Sequence, residues 1–383
     1  MRNFIFIRII CIILAIITVT SAWTVSAAET EKEYKLCKVL IEASGGAVMS
    51  EQNSEAAVPV GTMAKLMTVL LAAEEIEAGR LLLSDKLKAS SYANSMQGAQ
   101  IWLMPGEEIS VDELLKAVII GNANDAAVVL AEEISESEEN FAALMTKRAR
   151  ELGMENTVFT NCSGYYDDDK QISTALDIAR LCAELYKYDF LRGYFTCWRD
   201  FVRGGETELV NSNEAVKNYD GIAGFKAGFT ENSGYCAALG AERDGTAYIS
   251  VVLGCDDKDI SISDAKALLS VGFSQYTVFR PERPKDVPAE ISVRGGMTKT
   301  VPVDCGSIRS VVLPNGAAGS VTSRIVMPDY LYAPVRKGQK AGEIQFLRND
   351  KMLFSVDIFA ADYVEEMNIQ KALCIILKKL LTF

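Results

Sequence analysis

The residues that first suggest chemistry are a hydroxyl and an amine three positions apart, at the start of an apolar segment. Thr62 and Lys65 lie in the run Gly61-Thr62-Met63-Ala64-Lys65. On a helix, residues three apart share a face, so the two polar groups can approach each other. The pair suits nucleophilic catalysis with lysine as the base, although an N-capping threonine beside a solvated lysine has the same spacing.

The chain contains no histidine. This excludes a Ser-His-Asp triad, a Cys-His pair and an H-E-x-x-H zinc site. Lysine can replace histidine as a base where burial or a neighbouring cation lowers its pKa. Ser263 and Lys266 repeat the Ser-x-x-Lys spacing, but their setting predicts that Ser263 is a helix N-cap instead.

The segments that must position such a site predict an α+β domain. Apolar residues recur at helical spacing over 63–76 and 114–134, which predicts an α-rich block. Hairpins are predicted over 36–49 and 235–253, the second turning at Arg243-Asp244-Gly245, and a closing helix over 264–276. Because helices and antiparallel strands occur in separate runs, the α+β class is favoured.

A second domain is predicted after the proline-marked linker 280–285. Short alternating runs predict strands, with a hairpin turn at Arg348-Asn349-Asp350-Lys351. In the final segment, a helix places Leu373, Ile376, Leu377 and Leu380 on one stripe and Lys371 and Lys378 on the other side. The run is too short to span a bilayer, so we expect it to lie in the membrane interface, with docking on the protein as the alternative.

The first residues predict export. Arg2 and Arg8 come before the apolar stretch IICIILAIITV, and the chain then reaches Val25-Ser26-Ala27. This order is typical of a cleaved signal peptide; a retained membrane anchor is the alternative. The formal net charge is −12, which argues against nucleic acid as a partner. The nine cysteines form no C-x-x-C pair and predict neither a disulfide framework nor a zinc site; most are expected to be small core residues.

Three segments resemble the D-alanyl-D-alanine carboxypeptidase family, the low-molecular-mass penicillin-binding proteins. The family's Ser-x-x-Lys helix is similar to VGTMAKLMTVLLAAE, its Ser-x-Asn motif to VIIGNANDAAVVLAEEI, and its Lys-Thr-Gly strand to YDGIAGFKAGFTENSGYCAAL. The matching positions are Thr62 and Lys65, Asn122 and Asn124, and Lys226, Ala227 and Gly228. The segments NTVFTNCSGYYDDDKQISTALDIARL and APVRKGQKAGEIQF also resemble family segments.

The resemblance implies a β-lactamase/transpeptidase-like domain, an antiparallel sheet with helices, followed by a small all-β sandwich and an amphipathic helix. The corresponding boundaries are a signal peptide at 1–27, the transpeptidase-like domain at 28–279, the sandwich at 286–361 and the membrane-associating helix at 362–383. The location implied is the outer face of the cytoplasmic membrane, in the cell wall space.

All three motifs depart from the family pattern. Thr62 replaces the acylating serine, and its extra methyl group restricts χ1 and crowds an acyl-enzyme. Asn122 replaces a serine that can pass a proton to the leaving amine, and an amide is a poor relay. Ala227 replaces a threonine whose hydroxyl helps hold the substrate carboxylate, which leaves Lys226 to hold it by charge. We also expect Lys226 to lower the pKa of Lys65 by like-charge repulsion.

The implied function is a serine-type D-Ala-D-Ala carboxypeptidase that cleaves peptidoglycan stem peptides through an acyl-ester, without metal or organic cofactor. Thr62 would be the nucleophile, Lys65 the base and Asn124 the residue that orients a peptide amide, and β-lactam antibiotics would bind an active protein. The alternatives are a catalytically impaired pseudoenzyme that binds peptidoglycan or a cell-wall partner, and a β-lactamase. The β-domain and terminal helix favour the carboxypeptidases over the β-lactamases.

Overall fold

The structure, a computed structural model, describes residues 34–165 and 170–381, without the side chains of 378–381. The predicted signal peptide and Cys11 lie outside the described residues, as do residues 166–169. Numbered in chain order, the helices are α1 Ala64–Glu77, α2 Ser91–Asn94, α3 Val111–Ile119, α4 Asn124–Ser135, α5 Glu138–Glu151, α6 Ala175–Leu185, α7 Arg192–Thr196, α8 Lys258–Gln275 and α9 Ile369–Leu381.

The strands of the first part of the chain are β1 Cys37–Glu42, β2 Val48–Gln52, β3 Val58–Pro59, β4 Lys86–Lys88, β5 Glu108–Ser110, β6 Ile172–Ser173, β7 Arg199–Val202, β8 Thr207–Val210, β9 Ile222–Thr230, β10 Gly234–Arg243 and β11 Thr246–Cys255. Those that follow are β12 Tyr276–Phe279, β13 Glu290–Arg294, β14 Thr300–Cys305, β15 Val311–Pro314, β16 Val321–Val326, β17 Tyr330–Tyr332, β18 Lys340–Arg348 and β19 Lys351–Ala360.

The central sheet of the first domain is antiparallel, in the order β2-β1-β11-β10-β9. Strands β10 and β11 are apolar on both faces because helices cover both sides of the sheet. Residues of α1, α3, α4 and α6 share one buried apolar cluster with one face, while α8 packs on the opposite face. The predicted α+β domain is confirmed, and β9 is the edge strand beside the start of α1.

The closing helix begins earlier than the sequence pattern predicted. Its N-cap is Asp257, whose carboxylate accepts a hydrogen bond from the Ile260 amide at 2.9 Å. Ser263 lies in the second turn and is exposed, so the prediction that it caps the helix was wrong. Asp257 takes that role because Ile262 continues the buried face of α8 upstream.

The second domain is built around a six-stranded sheet in the order β16-β18-β19-β14-β13-β17. Its strands alternate between buried and exposed side chains, and the buried ones form one apolar cluster. Asn349 and Asp350 have positive φ angles of 49° and 63°, which a two-residue hairpin turn between β18 and β19 requires. The all-β prediction and that hairpin are confirmed.

After α8, the sequence pattern missed two short strands, β12 and β17. β12 follows α8 directly and pairs antiparallel with β15, so the last residues assigned to the first domain contribute a strand to the second. β17 pairs in parallel with β13. Because β12 and β17 are four and three residues long, they carry too little alternation to be recognised in the sequence.

The C-terminal helix α9 exposes its apolar residues. Ile369 is 88% exposed, and Leu373, Ile376 and Leu377 are also exposed, whereas Lys371 pairs with Glu365 at 2.5 Å. Among residues 34–165 and 170–381, no helix has both the length and the apolarity needed to cross a bilayer. None of the eight cysteines in these ranges is in a disulfide, and five of them are buried.

Candidate active site

Thr62 lies in a buried 3-10 turn, Gly61–Met63, that leads directly into α1. Its hydroxyl faces edge strand β9, where a Cβ atom added to Gly228 would lie 2.2 Å from Thr62 Oγ1. On its other side, the turn packs equally closely against the loop at Gly164, where an added Cβ atom would lie 1.8 Å from the Gly61 carbonyl oxygen. Thr62 is therefore held between β9 and the loop at Gly164, and both approaches require glycine.

Lys65 is 1% exposed and lies in the first turn of α1, after Ala64. Its ammonium nitrogen donates a hydrogen bond to the Ser163 carbonyl oxygen at 2.6 Å. Burial lowers the pKa of Lys65 from 10.5 to about 7, against the opposing effects of Cys162, Asp125 and Glu138. The repulsion expected between the two lysines acts on Lys226, whose pKa the charge on Lys65 lowers, whereas burial is the main cause of the low pKa of Lys65.

The loop that holds Lys65 is fixed by Asn161, a residue to which the sequence analysis gave no role. Asn161 Oδ1 accepts hydrogen bonds from the amides of Ser163 at 3.2 Å and Gly164 at 2.6 Å. This Asx turn directs the Ser163 carbonyl towards Lys65. The Asn-x-Ser-Gly pattern at 161–164 is the signal that would have identified it.

Asn122 and Asn124 flank the start of α4. Asn122 has a φ of 57°, and its Oδ1 is buried without a hydrogen-bond partner in the described part of the chain. Asn124 is buried, and its Nδ2 donates to the Gln97 carbonyl oxygen at 2.6 Å. Its neighbour Asp125 accepts hydrogen bonds from the amides of Ile101 and Leu103. The structure therefore ties Asn124 to the segment that begins at Gln97.

Lys226 extends beneath the site from β9. Its ammonium nitrogen donates to the carbonyl oxygens of Val118 at 3.0 Å and Ile119 at 3.4 Å, at the C-terminal end of α3. Burial, and second the charge on Lys65, hold the pKa of Lys226 well below its usual value. Two lysines thus share one buried region, and the charging of one disfavours the charging of the other.

Ala227 is placed differently from its neighbours. Its methyl group belongs to the apolar cluster that includes Leu40 and Leu239, between the sheet and α8. Its carbonyl oxygen accepts a hydrogen bond from Ser212 Oγ at 2.5 Å. Of the three residues predicted on β9, Lys226 reaches the site with its side chain and Gly228 with its Cα. The side chain of Ala227 packs into the core instead.

A cleft of about 870 Å³ opens beside these residues. It is lined by residues from the segment before Asn124, from the loop at Asn161 and from the end of β9, including Gln97, Glu138, Asn161, Tyr165, Phe229 and Thr230. A buried hydroxyl, a lysine with a pKa near neutrality and an adjoining cleft are the components of acyl transfer. Within 34–165 and 170–381, no cluster of three metal-ligating side chains accompanies them.

The predicted residues gather at one site but form few direct bonds with one another. Thr62 Oγ1 is buried and has no hydrogen-bond partner among the described residues, so its contact with Gly228 is by packing. Lys65 and Lys226 interact through their charges. In unliganded sites, catalytic hydrogen bonds are often long and tighten only when substrate binds.

Family models match both domains. The model for D-alanyl-D-alanine carboxypeptidase matches residues 24–257, and the model for the penicillin-binding protein 5 C-terminal domain matches residues 273–366. Among curated relatives, D-alanyl-D-alanine carboxypeptidase DacF of Bacillus subtilis is 34% identical over 328 residues, covering 85% of this chain and 84% of the relative. DacC of Escherichia coli is 28% identical over 336 residues, covering 86% and 84%.

Solved structures share the fold. Penicillin-binding protein 5 from Haemophilus influenzae superposes with a TM-score of 0.79 at 24% identity, over 88% of this chain and 99% of that chain. The match extends across both the helix-and-sheet domain and the β-domain, as the two family models do. On these matches, the chain belongs to the D-alanyl-D-alanine carboxypeptidase family.

Proposed function

We propose that this protein is an exported D-Ala-D-Ala carboxypeptidase that acts on peptidoglycan stem peptides, with Thr62 in place of the nucleophilic serine. The observation that carries this proposal is Lys65, which is buried beside Thr62 with a pKa of about 7. With that pKa, about half of the Lys65 amines are neutral at pH 7 and can accept a proton. An ordinary lysine would be almost fully charged and could not act as a base.

In the proposed reaction, Thr62 Oγ1 attacks the carbonyl carbon of the penultimate D-Ala, and its proton passes to the neutral Lys65 amine. The C–N bond then breaks, the proton reaches the leaving amine, and the terminal D-Ala departs from a Thr62 ester. Water hydrolyses that ester and restores the hydroxyl. Backbone N–H groups would stabilise the oxyanion.

We assign substrate binding to β9 and α4. Lys226 would bind the terminal carboxylate of the peptide, and Gly228 would leave space for the acylated Thr62 side chain. Lys226 donates hydrogen bonds to two carbonyl oxygens, and its pKa is lowered. A bound carboxylate favours the charged ammonium, so we expect Lys226 to take up a proton when the substrate carboxylate binds. Asn124 would orient the substrate amide, its own amide group being held by Gln97.

Intact-mass analysis after incubation with a penicillin tests this proposal. The wild-type protein should gain the mass of one drug molecule, and Thr62→Ala should gain none. Thr62→Ser serves as the matched control, because it keeps the hydroxyl, removes the crowding methyl group and should react faster. If neither the wild type nor Thr62→Ser forms an adduct at high drug concentration, acylation at this position is refuted.

A binding-only pseudoenzyme is the second candidate, and Asn122 favours it. Asn122 has a left-handed backbone conformation, and its buried Oδ1 has no hydrogen-bond partner among the described residues. Its amide stands where the family has a serine hydroxyl, so a group that could relay a proton is missing from this position. Retention of the protein on peptidoglycan, together with the absence of any penicillin adduct, would favour this candidate. Hydrolysis of a chromogenic cephalosporin would instead favour a β-lactamase.

We further propose that α9 lies in the membrane interface at the outer face of the cytoplasmic membrane. The support is its row of exposed apolar side chains at Ile369, Leu373, Ile376 and Leu377, each able to contribute about 1.5–3 kcal/mol on burial. Replacing Leu373 and Ile376 by glutamate should release the protein from lipid vesicles in a flotation assay. Unchanged flotation would instead favour a helix that docks on the protein.

The proposed domain boundaries are 1–27, 28–279, 286–361 and 362–383, with two adjustments: β12 at the end of 28–279 pairs with β15, and Val364 pairs with Val335 before α9 begins at Ile369. Removal of the leader is tested by mass analysis of the N-terminus of the secreted protein, which should begin near Ala28. A mature form that still carries residues 1–27 would favour a retained anchor.

A further inference from the structure

The most exposed tryptophan of the described residues has a backbone conformation that bulky side chains rarely adopt. Trp102 is 66% exposed and has a φ of 54°. For a bulky residue this conformation is an outlier that persists only where the surroundings impose it. Met104, two positions on, is 61% exposed, whereas Ile101 and Leu103 are buried. Trp102 and Met104 thus form an outward-facing pair.

The pair is held rigidly from two sides. On one side, the buried Asp125 carboxylate accepts hydrogen bonds from the amides of Ile101 and Leu103. On the other, Arg203 Nη1 donates to the Ile101 carbonyl oxygen at 2.7 Å, and Nη2 to the Trp102 carbonyl oxygen at 3.1 Å. The conformation of Trp102 is therefore imposed by bonds on both flanks.

Arg203 is itself fixed. Its Nε donates to one oxygen of Glu107 at 2.7 Å and its Nη2 to the other at 2.5 Å, a bidentate pair. Its backbone amide donates to Glu113 at 2.7 Å. Although burial opposes it, hydrogen bonds led by that from Arg203 hold the pKa of Glu107 below its usual value. This clamp keeps Trp102 outward, although the exposure of so large an apolar surface is unfavourable.

The clamped pair lies on the Asn124 side of the cleft. Gln97 lines the cleft and accepts a hydrogen bond from Asn124, while Asp125 holds the chain on either side of Trp102. From Gln97 to Trp102 the chain advances five residues and so spans about 18 Å at most. A stem peptide of five residues covers about the same length when extended, so the sugar to which it is attached can reach Trp102.

We infer that Trp102 and Met104 form a platform for the glycan strand of peptidoglycan, beside the cleft that takes the stem peptide. A tryptophan buries about 150–250 Å², which suits one flat sugar ring. A stable protein interface needs about 800 Å² from each partner, far more than this pair offers. The inference rests on the proposed function in so far as peptidoglycan is the substrate, and it adds the sugar chain as a recognised part.

Intrinsic fluorescence tests the platform without any requirement for catalysis. In a Trp23→Phe, Trp198→Phe background, Trp102 is the only tryptophan of the chain, whether or not the leader is cleaved. Titration with soluble glycan strands freed of peptide should produce a saturable change in its emission. No change at any glycan concentration would overturn the inference, whatever the outcome of the penicillin experiment.

Binding to immobilised peptide-free glycan provides the matched comparison. Trp102→Ala should bind at least tenfold more weakly, whereas Tyr332→Ala, at a tyrosine 68% exposed in the second domain, should bind as the wild type does. Arg203→Ala should also weaken binding and lower the fluorescence anisotropy of Trp102, with partial recovery in Arg203→Lys. Equal binding by Trp102→Ala and wild type refutes the platform. A loss confined to peptide substrates would place the stem peptide there instead.

Discussion

Replacing Lys65 by methionine should abolish acylation and change how stability depends on pH. The pKa of Lys65 falls from 10.5, the ordinary value that applies to the unfolded chain, to about 7 in the folded protein. This difference corresponds to an unfavourable contribution of about 5 kcal/mol to folding below pH 7. The sign follows from proton binding: between these two pKa values the unfolded chain binds more protons, so the free energy of unfolding rises with pH.

The free energy of unfolding should change most steeply with pH within an accessible pH window. Between about pH 7.5 and 9.5, Lys65 alone should raise the free energy of unfolding by about 2.5 kcal/mol. Lys226 acts in the same direction, but it is present in both proteins and largely cancels in the comparison. At pH 7.5, Lys65→Met should be more stable than wild type by about 1–3 kcal/mol, after the loss of the hydrogen bond to the Ser163 carbonyl.

Urea denaturation of wild type and Lys65→Met at several pH values across this window provides the assay. Thr62→Ala is the control, because it alters the same site without removing an ionisable group and should shift stability equally at every pH. The wild-type rise should exceed that of Lys65→Met by about 2.5 kcal/mol. Identical pH dependences in the two proteins would refute a depressed Lys65 pKa, and with it the role of Lys65 as base.

Three further predictions concern acylation by a penicillin. The rate should increase with pH and level off above about 7, because only the neutral Lys65 amine accepts a proton; a rate independent of pH would contradict this. Gly228→Ala should stop adduct formation, because its Cβ would lie 2.2 Å from Thr62 Oγ1, whereas Gly319→Ala, with no atom near its added Cβ, should react normally. Asn122→Ser should accelerate acylation by restoring a hydroxyl that can relay protons; an unchanged rate in stopped-flow assays would show that Asn122 is not limiting.

The site depends on several residues to which the sequence analysis gave no role. Asn161 and Ser163 hold the Lys65 amine through an Asx turn and a carbonyl group, and Asp125 and Arg203 hold the segment beside Asn124. These contacts join positions that are far apart in the chain. Their effect is to orient the groups that the motifs supply, which is why a motif alone does not determine whether a site is active.

Much of the architecture followed from the sequence alone. Helical and alternating apolar patterns predicted the α+β domain, the all-β domain and the hairpins, because periods of 3.6 and 2 residues record which face of each element is buried. The absence of histidine left lysine as the main candidate for a catalytic base, and the spacing of Thr62 and Lys65 predicted that role for Lys65. The family resemblance identified Asn122, Asn124 and the Lys226-Ala227-Gly228 strand, and the family matches confirmed the family.

Tertiary structure alone decided the start of α8, the pairing of β12 with β15, and the electrostatics of the two lysines. The reason is that each depends on what surrounds a residue in space. Burial lowers the pKa of Lys65, and burial cannot be deduced from the sequence around that residue. It is produced by strands and loops that lie about 100 to 160 positions away along the chain. The exposure of Trp102 likewise depends on Arg203, a residue 101 positions along the chain. The sequence determined which chemical groups are available, and the fold determined their protonation, orientation and access.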